Sequence, residues 1–293
     1  MFAAAAFLRG HGRSHHACQP TRPGYKYQRD KNTGIVIGMV ELKTTSEIEA
    51  MRQAGRVVAA ALQAVRERVA PGVSLLELDA VAAAVMDEHA AKPAFLHYRP
   101  HFAPTPFPAV ICTSVNDVIV HGIPTRRRLE QGDLLSVDCG VYLDGWAGDA
   151  AFSMTVGAGR AEDLELIETA EAALAAGIAA AVPGARLGDV GHAIAQVAAR
   201  GGCGVPDGFG GHGIGRHMHE DPSVPNRGRP GRGMVMRPGL VLAIEPMLVA
   251  GGDGRYHELA DGWSLASVSG RRAVHAEHTV AVTEQGPLVL TSL

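Results

Sequence analysis

The sequence predicts an α+β domain of two lobes, with strands from both halves forming one sheet under helices. Two observations carry this. A helix–Pro-Gly–helix order occurs twice, and Pro71-Gly72-x-x-Leu75-x-Glu77-Leu78 recurs at constant offset as Pro183-Gly184-x-x-Leu187-x-Asp189-Val190. Self-similarity of this kind points to duplication. Each helical pair is followed by strand-like sequence: "AVICTSV" and "LLSVDCGVYL" in the first half, "GLVLAIEPMLV" and "HTVAVT" in the second.

The 293 residues are 46% hydrophobic and 19% charged, enough to bury a sizeable core. The net charge of −3 and a single basic run, Arg126-Arg127-Arg128, argue against a nucleic-acid partner. Cys18, Cys112, Cys139 and Cys203 are widely spaced with no CxxC pair, as expected in a reducing compartment. No apolar run approaches a membrane span, and a cytoplasmic location is expected.

Residues 1–40 are polar and basic without helical or strand periodicity, and are expected to form a flexible extension. Their His11, His15, His16 and Cys18 lack a second Cys/His pair at finger spacing. Met39 opens more regular sequence and is a second possible start of translation. Residues 41–293 are expected to form the functional domain. Ser46 and Glu49 have capping-box spacing, and Ile48, Met51, Val58, Leu62, Val65 and Val69 follow a helical period that Pro71-Gly72 ends. Ser74 and Glu77 cap a second helix, to about His89. Prolines in "RPHFAPTPFP" mark a loop before the first strands. "AEDLELIETAEAALAAGIAAAVPG" and "ARLGDVGHAIAQVAARGG" repeat the helical pair.

Four carboxylates stand in strand-like sequence. Asp138 and Asp149 flank "YLDGWAG", a hairpin-turn sequence that should set them roughly opposite each other on one face. Carboxylates that close repel unless one is protonated or a cation lies between them. Glu245 and Glu277 lie in apolar runs, where a glutamate is costly to bury unless paired or ligated. Together with His212, bracketed by glycines in "FGGHGIGRHMHEDP", these residues suit a pair of divalent cations. Such a pair can activate water and polarise a carbonyl.

The ordered motifs "SVNDVIVHGIP", "SVDCGVYLDGWAGD", "GHGIGRHMHEDP", "IEPM", "DGW" and "AEHT" resemble those of type I methionine aminopeptidases, over about residues 41–293. The resemblance implies the pita-bread fold, two pseudo-symmetric α/β lobes around a central antiparallel sheet. It implies five ligands to two divalent metal ions, of cobalt, manganese, iron, zinc or nickel: Asp138, Asp149, His212, Glu245 and Glu277. Asp149 and Glu277 would bridge, Asp138 would chelate one metal, and His212 and Glu245 would complete the other site. His121 and His219 would contact substrate, and Glu245 would act as general base. The implied reaction removes the N-terminal methionine of nascent chains when the second residue is small, at the ribosome and as a monomer.

By motif position Cys112 and Trp263 fall in the methionine pocket, with Tyr98 and Phe107 as its expected aromatic wall. "RPHFAPTP" is an insertion beside the family pattern. His217-Met218 also departs from it, where a glycine and an aromatic are more usual; Met218 would give a softer wall. Two other functions fit the same fold: a proline-directed aminopeptidase or dipeptidase, and an inactive partner-binding protein. The extension is too short for the large N-terminal domain of the first, and the intact ligand set argues against the second. The interval from His212 to Glu245 is too short for a type II enzyme.

Overall fold

A computed structural model describes residues 25–29, 36–100 and 103–292, and side chains from residue 40 onward. The histidines and cysteine of the first 18 residues, and His101 and Phe102 of the insertion, lie outside the described residues. In chain order, β1 (Tyr25–Arg29) and β2 (Val36–Glu41) form an antiparallel ribbon, with Lys26 paired to Val40 and Gln28 to Ile37. Strand structure thus reaches into the segment expected to lack periodicity. Tyr25 and Tyr27 alternate with Lys26 and Gln28, a short period-two signal within the polar segment.

Helix α1 (Thr45–Arg68) follows. Its cap is Thr44 with Glu47, not Ser46 with Glu49: the Glu47 carboxylate accepts from the Thr44 N–H at 2.8 Å. Both pairs have the same spacing, but Glu49 lies one turn inside and accepts instead from Arg52 and Gln53. Met51, Ala54, Val58, Ala61, Leu62 and Val65 form the buried face. In α2 (Leu75–Glu88) the expected Ser74–Glu77 box is present.

Strands β3 (Lys92–Pro93), β4 (Ile111–Val115) and β5 (Val118–Val120) lead to the long hairpin of β6 (Leu134–Leu143) and β7 (Trp146–Thr155). Its turn is Asp144-Gly145, with φ of 50° and 76°, the left-handed pair that a tight two-residue hairpin requires. Helices α3 (Ala161–Ala180) and α4 (Leu187–Arg200) repeat the helical pair. The remaining strands are β8 (Gly210–Gly213), β9 (Glu220–Pro225), β10 (Val241–Ile244), β11 (Met247–Val249), β12 (Tyr256–Glu258), β13 (Leu265–Ser267), β14 (Ala273–His275), β15 (Glu277–Thr283) and β16 (Gly286–Val289).

The main sheet runs β3-β6-β7-β15-β10-β8-β9, with β4 also on β6 and β16 on β15. Its paired strands are antiparallel, and the two halves of the chain meet at β7 and β15. Helices α1 and α2 cover one half of the outer face through Val58, Leu78, Val137 and Cys139; α3 and α4 cover the other through Leu166, Ile194, Leu242 and Val280. This is the pita-bread arrangement. The duplication extends to the hydrogen bonds: the Gly72 N–H donates to the Leu129 carbonyl at 2.7 Å, and the Gly184 N–H to the Met236 carbonyl at 3.0 Å. Leu75 and Leu187 likewise donate to Arg127 and Met234.

Candidate active site

The inner face of the sheet collects the acidic residues. In β6 and β7, Asp138 pairs with Ala151 and Asp149 with Gly140, so the aspartates share a face but are diagonal neighbours rather than directly opposite. The two-residue turn sets this offset: counting from Leu143↔Trp146, the partner of Asp138 falls two residues beyond Asp149. Glu277, at the start of β15, is also opposite Ala151 in the ladder joining the halves. Glu245 follows Ile244, whose partner is His278. Asp138, Glu277 and Glu245 therefore stand at nearly one level across neighbouring strands.

The seam between β7 and β15 is held by hydroxyls as well as by the ladder. Thr279 Oγ1 accepts from the Asp149 N–H at 3.0 Å and donates to the Asp149 carbonyl at 2.8 Å. Ser153 Oγ does the same for His275, at 3.0 and 2.8 Å. These bridges fix the backbone under the acidic cluster. His212 sits on β8 opposite Ala243. Its neighbours Gly211 and Gly213 have no room for a side chain: a Cβ would meet the Ala243 carbonyl at 1.9 Å or the Asp221 carbonyl at 2.1 Å. His212 Nδ1 lies 2.9 Å from the Gly213 carbonyl oxygen, so that Nδ1–H donates there and Nε2 faces the carboxylates.

His212 Nε2 is 3.9 Å from Asp149 Oδ2 and 3.7 Å from Glu245 Oε1. These separations are too long for hydrogen bonds. They suit donors that share a cation, since two ligands each roughly 2.0–2.2 Å from one ion can lie up to roughly 4 Å apart. Asp138 Oδ1, Asp149 Oδ1 and Glu277 Oε1 are buried without a hydrogen-bond partner, a costly state that a cation relieves. Asp149, His212 and Glu277 place ligand atoms within 4.8 Å of one another, and so do Asp138, His275 and Glu277. Burial and the neighbouring carboxylates hold Asp149 and Glu277 well above the usual carboxylate range, and burial above all pushes Asp138 up to about 7. The residues present therefore fit a divalent metal centre.

Above this floor lies a cavity walled by Phe95, Tyr98, Phe107, Cys112, Phe209 and Met247, with His121 and His219 at its polar side. Tyr98 stacks on His219 with ring centroids 5.4 Å apart, and His219 lies 4.3 Å from the His212 ring. Burial holds His121 and His219 well below the usual histidine range, and the same burial raises the Cys112 thiol. His121 has φ of 60°, an uncommon conformation for a non-glycine residue.

Met218 and Trp263 are not among the residues that line this cavity. Met218 packs with Phe95 over Gly140, and its N–H donates to the Tyr142 hydroxyl at 2.7 Å. Trp263 meets Phe107 edge-on at 5.1 Å and donates its indole N–H to the Thr105 carbonyl in the inserted loop. His217 is exposed. The sequence reading missed Phe95, Phe209, Met247 and His275. Of these, His275 was marked by strand parity alone, two residues before Glu277 in "AVHAEHT".

Known proteins share this sequence pattern and fold. The model of metallopeptidase family M24 matches residues 49–284. Methionine aminopeptidase 1 of Mycobacterium tuberculosis is 49% identical over 260 residues, covering 86% of this chain and 95% of the relative. The crystal structure of methionine aminopeptidase from Thermotoga maritima superposes with a TM-score of 0.83 at 39% identity, covering 87% of this chain and 100% of that one. A prolidase from Pyrococcus horikoshii shares the fold, with a TM-score of 0.66 at 21% identity, and this chain covers 63% of it. The chain belongs to metallopeptidase family M24, on its methionine aminopeptidase branch.

Proposed function

We propose that this protein is a methionine aminopeptidase that releases the first residue of a peptide chain when the second is small. The observation that carries the reading is the convergence of four carboxylates and His212, with orphaned buried oxygens, on the floor of one apolar-walled cavity. Asp138, Asp149, His212, Glu245 and Glu277 would hold two divalent cations, with Asp149 and Glu277 shared between them. Bound there, the cations would polarise the scissile carbonyl and lower the pKa of a water toward ~7.

The chain's own groups do the rest. Phe95, Tyr98, Phe107 and Phe209 exclude water from the methionine side chain, and Cys112 and Met247 complete that wall. His219, held by its stack on Tyr98, donates to the oxygen that gains charge at the scissile carbonyl. His121 orients the scissile amide. The Glu245 carboxylate takes the proton of the attacking water and returns it to the leaving amine, a role worth ~10²–10⁴-fold. Substrates would be N termini of nascent chains at the ribosome, met by a cytoplasmic monomer. Residues 41–293 are the catalytic unit. A chain lacking residues 1–38 should keep kcat/KM for Met-Ala-Ser within about tenfold, roughly 1.4 kcal/mol.

The test is release of methionine from Met-Ala-Ser by purified protein loaded separately with Co, Mn, Fe, Zn or Ni, with an Ala-Pro dipeptide in parallel. Methionine release alone supports the reading. Cleavage of the proline dipeptide alone, or of neither substrate with any metal, would overturn it.

A further inference from the structure

His275 is 2% exposed, and its Nε2 is a buried ring nitrogen with no hydrogen-bond partner. That nitrogen points into the acidic cluster, 3.5 Å from Glu245 Oε2 and 3.7 Å from Glu277 Oε2. As with His212, these distances are too long for hydrogen bonds and suit donors around a shared ion. Its ligand atom groups with those of Asp138 and Glu277, whereas His212 groups with Asp149 and Glu277.

The local symmetry of the sheet explains the placement. Ala151 and Glu277 are partners at the seam of the two halves. Two residues before Ala151 stands Asp149, bridged on both backbone groups by Thr279; two residues before Glu277 stands His275, bridged in the same way by Ser153. His275 therefore occupies, on β14, the place that Asp149 occupies on β7. Both side chains flank Glu277 on the inner face. Nothing in the proposed catalysis uses His275, yet an imidazole nitrogen left bare beside carboxylates is costly unless a cation or proton lies between them.

We infer that His275 is a sixth protein ligand of the metal centre, giving the Asp138 side an imidazole nitrogen to match His212 on the other. This rests on the metal-dependent reading above. An imidazole in place of an all-oxygen donor set shifts preference toward Zn, Ni, Co and Fe and away from Mn and Mg.

The experiment needs no turnover. Wild-type protein loaded with Zn is expected to show two imidazoles per chain by X-ray absorption fine structure. In calorimetric titrations His275→Gln should weaken one class of Zn site by about 10-fold or more, the least expected when even outer partners of ligands cost 10–100-fold. The loss should be smaller with Mn. One imidazole per chain in Zn-loaded wild-type protein overturns the inference while leaving the metal centre standing. Wild-type protein that binds no metal overturns the metal reading and this inference with it. If His275→Gln fails to fold, the wild-type imidazole count decides alone.

Discussion

Asp138 and Asp149 face the same side of the β6–β7 hairpin but are offset by two residues, Asp138 opposite Ala151 and Asp149 opposite Gly140. The offset leaves each aspartate with its own imidazole, Asp138 with His275 and Asp149 with His212, while Glu277 is common to both groups.

Asp149→Ala should remove a shared ligand with little effect on folding, because the backbone there is held by Thr279. Methionine release should fall by more than about 100-fold, the upper end of what even outer-shell changes cost. Bound metal should fall in parallel. Wild-type metal content and turnover in the purified variant would refute the assignment.

Metal-free protein should respond to pH through Asp138. Its folded-state pKa of about 7 lies above the ordinary 3.8, chiefly from burial, so the fold favours the protonated carboxyl. That contribution is present below pH 3.8 and is lost as pH rises through 7. Asp138→Asn is always neutral and escapes the loss. In the absence of metal the variant's stability relative to wild type should therefore improve steadily from pH 4 to pH 8, as urea midpoints would report. A constant difference across that range would show that Asp138 is not strained by its surroundings.

Lys43 Nζ lies 2.6 Å from Glu220 Oε2, with side chains 2% and 14% exposed. Glu220 follows His219 directly and also accepts the His217 N–H, so this ion pair anchors the segment that carries His219. Lys43→Met leaves a buried carboxylate without its partner and should cost about 3–5 kcal/mol. A fall in kcat should accompany it. Unfolding curves matching wild type would show that Glu220 finds water or another donor.

Met218→Phe should act on packing rather than on selectivity. The Met218 Cε already comes within 2.6 Å of where a Cβ on Gly140 would stand, so a rigid ring overfills the space and should cost ~1–3 kcal/mol. Because Met218 does not line the cavity, preference for methionine over norleucine should change by less than about threefold, well under the 10-fold or more of a direct pocket change. A larger change in competition assays would place Met218 against substrate.

Strand parity, turn chemistry and the α2 cap are local, and they were readable from the chain. Ser74 with Glu77, Pro71-Gly72 with Pro183-Gly184, and Asp144-Gly145 act within a few residues of themselves, so their outcomes follow from the residues alone. Period-two alternation likewise set Asp138 and Asp149 on one face, and the order of the motifs pointed to His212, Glu245 and Glu277. Which strands become neighbours is a different matter. The pairing of β7 with β15 joins residues more than a hundred positions apart, and nothing local marks it. That pairing brings His275 to Asp138 and Glu277, and packing over Gly140 sets Met218 beside Phe95. Such placements depend on how two covered half-sheets close on each other, a property of the assembled core that no single segment encodes.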